Sequence, residues 1–238
     1  MSDIGQIWVY LSATPLLHLT LTLVVYQLSV FLWRRGRLSP LLNPVLLSII
    51  AIVAVLLGTG TDFQTYFEGA QFVHFLLGPA TVALAIPLYR QFAKVRRSAA
   101  AVIVSIVAGS ATAAISAVGT AWLLGGSREA LASLAPKSVT TPVAMGIAEQ
   151  LGGLPSLTAA LVIITGILGA VAGPYVLDLL HIRSMAARGL AMGTASHGIG
   201  TARAMQLSEV AGAFSGLAMG LNALATALLL PLLWRLLS

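Results

Sequence analysis

The stretch GTASHGIGTARA, residues 193–204, sets a histidine, an arginine, two threonines and three glycines between apolar runs. These are anion-binding residue types. Arg203 carries a planar fork suited to a carboxylate. His197 titrates nearest neutral pH, so it can meet an anion or carry a proton. Thr194, Ser196 and Thr201 add hydroxyls, and Gly198 lets the backbone break and approach a guest closely. A helix broken there exposes free N–H groups at a positive dipole end. LAPKSVTTPVAM, residues 134–145, offers a second such set in Lys137, Ser138, Thr140 and Thr141. Glu149 and Glu209 each follow a Met by four residues, placed to accept a proton or to cap the next span. Asn43 before Pro44, Gly78-Pro79 and Thr81 are further candidates for lining a site. Kinks and packing are their plainer use.

Each reading has a structural rival. Lys137 and Arg203 could snorkel or pair with Glu149 or Glu209, and His197 could make a packing hydrogen bond. Enzymatic readings are weak. Adjacent Ser196 and His197 do not present a nucleophile and a base to each other, and no acidic orienter accompanies them. His18, His74 and His181 are scattered, no H-E-x-x-H run occurs, and Cys is absent. No enzyme activity, metal or cofactor is expected.

The solvent of these residues follows from composition. The chain of 238 residues is 58% hydrophobic and only 8% charged, where a soluble domain carries about a quarter charged residues. Apolar runs recur from end to end, the pattern of a polytopic α-helical membrane protein in the lipid bilayer. The net charge of +6, from 13 basic and 7 acidic residues, is not a nucleic-acid footprint. The basic residues sit at helix ends, and no nucleic-acid partner is expected. The N-terminus lacks a basic region before its apolar run, so 7–33 reads as a retained first span.

Charge clusters orient the spans. Arg34, Arg35 and Arg37 follow the first run; Arg90, Lys94, Arg96 and Arg97 follow the third. The positive-inside rule puts both clusters in the cytoplasm and the N-terminus outside. The run 41–58 then goes outward, GTGTDFQTYFEG reads as an external loop, and 70–89 returns inward, interrupted by its prolines. The run 98–124 goes outward, 155–180 inward and 210–234 outward. The segment 134–153 is too short and polar to span, so it dips in from outside and comes back. The stretch 193–204 starts from the inside.

Residues 135–159 align with 195–219 without a gap, and seven positions are identical, among them Thr141/Thr201, Met145/Met205 and Glu149/Glu209. Chance in this composition gives roughly two or three. Two related units of opposite topology, each with an interrupted helix, are the pattern of secondary transporters. Irregular backbone survives at membrane depth only where protein buries it or it lines a wet cavity. The fold expected is all-α and polytopic, with about six full spans plus two re-entrant or broken segments forming an inverted-topology repeat. It is a single integral membrane domain over 1–238. Residues 1–130 hold the first four spans, and 131–238 hold two repeat units, 135–180 and 195–235.

LLGPATVALAIPLYRQ (76–91), LAPKSVTTPVAM (134–145), GTASHGIGTARA (193–204) and GAFSGLAMGLNALATALLLPLL (212–233) together resemble the LrgB/CidB family of bacterial membrane proteins. The motifs occur in order across nearly the whole chain. The resemblance implies one of two activities. One is transport of small monocarboxylates: pyruvate in some bacterial members, glycolate and glycerate in the related chloroplast envelope translocator. The other is an antiholin-like role that modulates murein hydrolases and autolysis. It also implies a small LrgA/CidA-type membrane partner, since no such segment is present in this chain. The reading adopted is a multi-pass protein of the bacterial cytoplasmic membrane that moves a small organic anion, coupled to a proton, as a homo-oligomer with a dimer favoured. A pore is the second class; it would need a polar-lined opening, and no ring of charge is evident.

Overall fold

A computed structural model describes residues 15–36, 42–76, 79, 82–83 and 85–237. All regular structure among them is helical. The helices are α1 (Pro15–Arg35), α2 (Pro44–Thr59), α3 (Phe63–Phe75), α4 (Ala85–Arg90), α5 (Phe92–Arg97), α6 (Ala99–Leu123), α7 (Arg128–Leu134), α8 (Thr141–Gln150), α9 (Pro155–Leu179), α10 (Met185–Leu207) and α11 (Glu209–Leu237). Four are long and apolar enough to cross a membrane, over Leu16–Arg35, Ala99–Leu123, Pro155–Leu179 and Glu209–Arg235. Helix α2 is apolar but shorter. Six spans were expected. The run 70–89 is divided between the end of α3 and α4, with several of its positions, Gly78 and Thr81 among them, outside the described residues.

Two compact units are present, one ending at Ala83 and one running from residue 84. In the first, α1 packs on α2 and α3. Helix α2 starts at Asn43, whose Oδ1 accepts from Val45 N at 2.9 Å and Leu46 N at 3.2 Å, with Pro44 preset for the first turn. This cap is the use the structure shows for Asn43. Residues 58–69 are not the plain loop expected. Asp62 Oδ1 accepts from Gln64 N and Thr65 N, which starts α3 inside that stretch. The Thr65 hydroxyl on its carboxylate, with the backbone N–H groups, holds Asp62 below the usual carboxylate range. His18 is buried edge-on to Tyr66, ring centroids 5.8 Å apart.

The second unit is built on α9 and α11. Along α9 the buried residues are Thr158, Val162, Gly166, Ala170, Pro174 and Leu177, a stripe close to every fourth position. Along α11 they include Ala211, Ser215, Ala218, Asn222 and Thr226. Both stripes are mostly small residues, which lets backbones approach within the membrane. The segments 128–150 and 185–207 lie against them.

Both segments are hairpins. Leu154 N donates to Ser133 Oγ at 2.8 Å, and Thr158 Oγ1 donates to Ser133 O at 3.1 Å, so the end of α7 sits beside the start of α9. The chain continues deeper along α9, because Val139 and Ala144 pack with Val162. Helix α8 then returns to a tight turn at Gly152, whose φ of +81° suits glycine. In the second hairpin, helical geometry fails at Ser196 and at His197, where φ is +41° and ψ is −132°. Residues 185–195 run parallel to α11, with Gly189 on Ala211 and Gly193 on Ser215. Residues 198–207 run antiparallel to it, with Thr201 bonded to Ser215 and Met205 on Gly212. The halves touch: a Cβ on Gly200 would lie 2.6 Å from Met192 O. The 23 residues of α10 therefore double back, where an unbroken helix of that length would span about 35 Å.

Candidate functional site

The tips of the two hairpins meet. The first descends beside the N-terminal half of α9 and the second rises beside its C-terminal half. Val162 is common to both: its side chain packs with Val139 of the first tip, and its carbonyl accepts from His197 Nε2 of the second at 3.0 Å. Asn222, from α11, joins them a second time. Its Nδ2 donates to Ser138 O at 3.2 Å and to Thr194 O at 3.1 Å. Sequence reading missed Asn222. The signal available was a lone amide in the apolar run 212–233, where a polar group needs a partner.

Glycines seat the second tip. A Cβ on Gly166 would lie 2.7 Å from His197 Cε1, and one on Gly169 would overlap Ser196 Oγ. The His197 backbone occupies a region that favours glycine and costs of order 1–3 kcal/mol in another residue. It is held by the ring's bond to Val162 and by burial at 4% exposure. Thr201 donates to His197 O at 2.8 Å, so Ser215, 2.9 Å away, donates to Thr201.

The expected site residues separate into three groups. Ser138, Thr194, Ser196, His197 and Thr201 are buried at or just behind the tips. Lys137, Thr140, Thr141 and the exposed Gly198 flank them. Lys137 Nζ reaches Ser138 Oγ at 3.4 Å. No carboxylate among the described residues pairs with Lys137, which sets aside an ion pair with Glu149 or Glu209. Arg203 forms the third group, apart from Lys137 and the tips. It lies six residues, about 9 Å of helix rise, beyond His197. Its Nη1 bonds Gln206 Oε1 at 2.9 Å.

The acidic residues also lie apart from the tips. Glu209 is in the first turn of α11 and pairs with Arg90 at 3.4 Å, both exposed. Glu149 is exposed in the last turn of α8 and does not cap α9, whose N-cap is Leu154 and has no side-chain cap bond. Pro79 is helical and exposed, and Gly78 and Thr81 lie outside the described residues. At the base of the second hairpin Arg188 is buried, paired with Asp178 and bonded to Ile182 O and Pro174 O. A cavity of about 410 Å³ opens between α6 and the second hairpin, lined by Ser105, Gly109, Ala191, Thr194 and Ala195 among others.

The chain matches the LrgB-like family over residues 22–236. It is 39% identical to the uncharacterized protein YxaC of Bacillus subtilis, over 89% of this chain and 92% of that one. It is 40% identical to the uncharacterized protein YwbG of the same organism, over 80% and 85%. With the holin-like protein CidB of Staphylococcus epidermidis the identity is 34%, over 94% and 96%. No solved structure matches it. The family match covers most of the chain, the relatives align nearly end to end, and the helices include four able to cross a bilayer: the chain is a membrane protein of the LrgB family.

Proposed function

We propose that this protein is a carrier, not an enzyme, for a small monocarboxylate, a 2-oxo or 2-hydroxy acid, in the bacterial cytoplasmic membrane. The observation that carries the reading is Lys137: a half-buried ammonium where two broken helical segments meet, with no carboxylate partner among the described residues. An ionisable group at membrane depth marks a substrate or ion path by default. Tips entering from opposite ends and meeting midway suit alternating access around a fixed site. A coupled proton would offset the electrical cost of moving an anion inward. An LrgA/CidA-type partner and a dimer belong to the same proposal.

The test is uptake of radiolabelled pyruvate, lactate and glycolate into proteoliposomes. A carrier saturates and discriminates among them. The holin-like reading takes its support from the name of the staphylococcal relative. It predicts instead leakage of a trapped dye without saturation, and that result would replace the carrier reading. Orientation is checked separately. Cysteines at Gln64 and Arg128 are expected to react with an impermeant reagent on intact cells, and one at Ala93 only after lysis. Labelling of Ala93→Cys on intact cells reverses the assigned topology.

A further inference from the structure

Resting on that reading, we infer that the outer face of residues 185–195 is the floor of a water-filled path that carries the substrate from the base of the second hairpin to the meeting point of the tips. This arm lies on α11 by its glycines, Gly189 on Ala211 and Gly193 on Ser215. Ala187, Ala191 and Ala195 recur every fourth residue on the opposite side of the arm, and all three are exposed. The cavity of about 410 Å³ borders them on the α6 side, at Ser105 and Gly109. A second cavity, of about 260 Å³, borders them on the α9 side, at Gly169 and Gly173. Both are lined by Ala191 and Ala195, so together they form one trough along the arm.

Two hydroxyls at the inner end of the trough point to its contents. Thr194 lines the first cavity and Ser196 the second, and the residues are only 6% and 2% exposed. The Thr194 methyl group faces α6, 3.2 Å from where a Cβ on Gly109 would lie. Neither hydroxyl has a hydrogen-bond partner among the described residues. A hydroxyl kept from water without a partner costs about 1–3 kcal/mol, and a lipid tail offers it none. Water does, and both cavities far exceed the roughly 10–15 Å³ that one water needs. Elsewhere α6 and α9 expose branched apolar groups such as Ile115 and Ile164, which suit lipid.

Charge distinguishes a path from a resting place. No charged side chain lines either cavity, so nothing there holds an anion. At the inner end Thr194 O and Ser138 O share the Asn222 amide nitrogen, and Ser138 adjoins Lys137. At the outer end Ala187 follows the exposed Arg183 by four residues, a cation placed to draw anions to the mouth. A route that binds little along its length and ends on a charge passes its guest inward.

The chain has no cysteine, so one introduced thiol reports its own surroundings. Full-length Ala187→Cys, Ala191→Cys and Ala195→Cys in membrane vesicles are treated with a charged thiosulfonate. They are expected to react at least about tenfold faster than Ile115→Cys and Ile164→Cys, because each unit by which apolar surroundings raise a thiol's pKa removes tenfold of the reactive thiolate. Ala187→Cys is expected to react from the membrane side that labels Ala93→Cys and not from the other. Modified Ala191→Cys is expected to lose uptake of pyruvate, lactate and glycolate, and modified Ile115→Cys to keep it. Alanine positions that react no faster than Ile115→Cys mean that lipid or a partner helix fills the trough, and the inference falls. It falls too if Ala187→Cys reacts only from the opposite side, or if modified Ala191→Cys still transports. Fast labelling in a protein that moves none of the three acids keeps the aqueous trough and takes down the carrier reading alone.

Discussion

Lys137→Gln is expected to abolish measurable monocarboxylate uptake while the protein still inserts and remains monodisperse. Lys137 is half-buried, and the bond from its ammonium to Ser138 Oγ leaves its charge uncompensated by any described carboxylate. In a low-dielectric setting an anion that loses such a partner is poorly compensated. Truncating a buried charged contact costs roughly 2–5 kcal/mol, a tenfold to several-thousandfold loss of affinity at about 1.4 kcal/mol per decade. Because Arg203 sits toward the other end of the second hairpin, Arg203→Gln is expected to slow uptake without abolishing it. Arg96→Gln, on the exposed face of α5, leaves affinity nearly intact. Normal affinity in Lys137→Gln would remove the tips as the binding site.

The second large effect is structural. Gly193→Val drives a branched side chain into the carbonyl of Ser215, a backbone atom of α11 that cannot rotate away. Neighbouring Gly189 meets Ala211 in the same way, so the second hairpin has no slack along this contact. Overpacking of this kind costs typically 1–3 kcal/mol, and the upper value corresponds to a fall in Tm of roughly 6–12 °C for a chain of this size. Gly220→Ala is the control: on the same helix α11 its Cβ would meet nothing within 4 Å. A thermal midpoint unchanged in Gly193→Val would mean that the hairpin does not seat on α11 as described.

Much of this architecture was legible. Apolar runs marked the long helices α6, α9 and α11, because in lipid a continuous run of twenty apolar residues has few other uses. Glycine density in residues 193–200 marked the break in α10. What the sequence did not carry was pairing. Periodicity records which face of a helix is buried, not which residue of another helix lies against it, so Asn222 gave no hint that it joins Ser138 to Thr194. Charge type alone likewise suggested that Lys137 and Arg203 act together, since nothing in the spacing shows that the second hairpin carries Arg203 away from the tip. Asp62 was read by polarity as loop, yet its side chain supplies the turn that starts α3.

The meeting of the tips has an electrical consequence. In a carrier built this way the two tips, rather than two full helices, would separate the compartments. With water on both sides of the tips, most of the membrane voltage would fall across a few ångströms. An anion stepping past Asn222 would then take up nearly the whole work of crossing, about 2.3 kcal/mol per 100 mV, in a single short move. Membrane potential would thus act on the one step in which the tips part, and it would hardly bias the approach to them from either side.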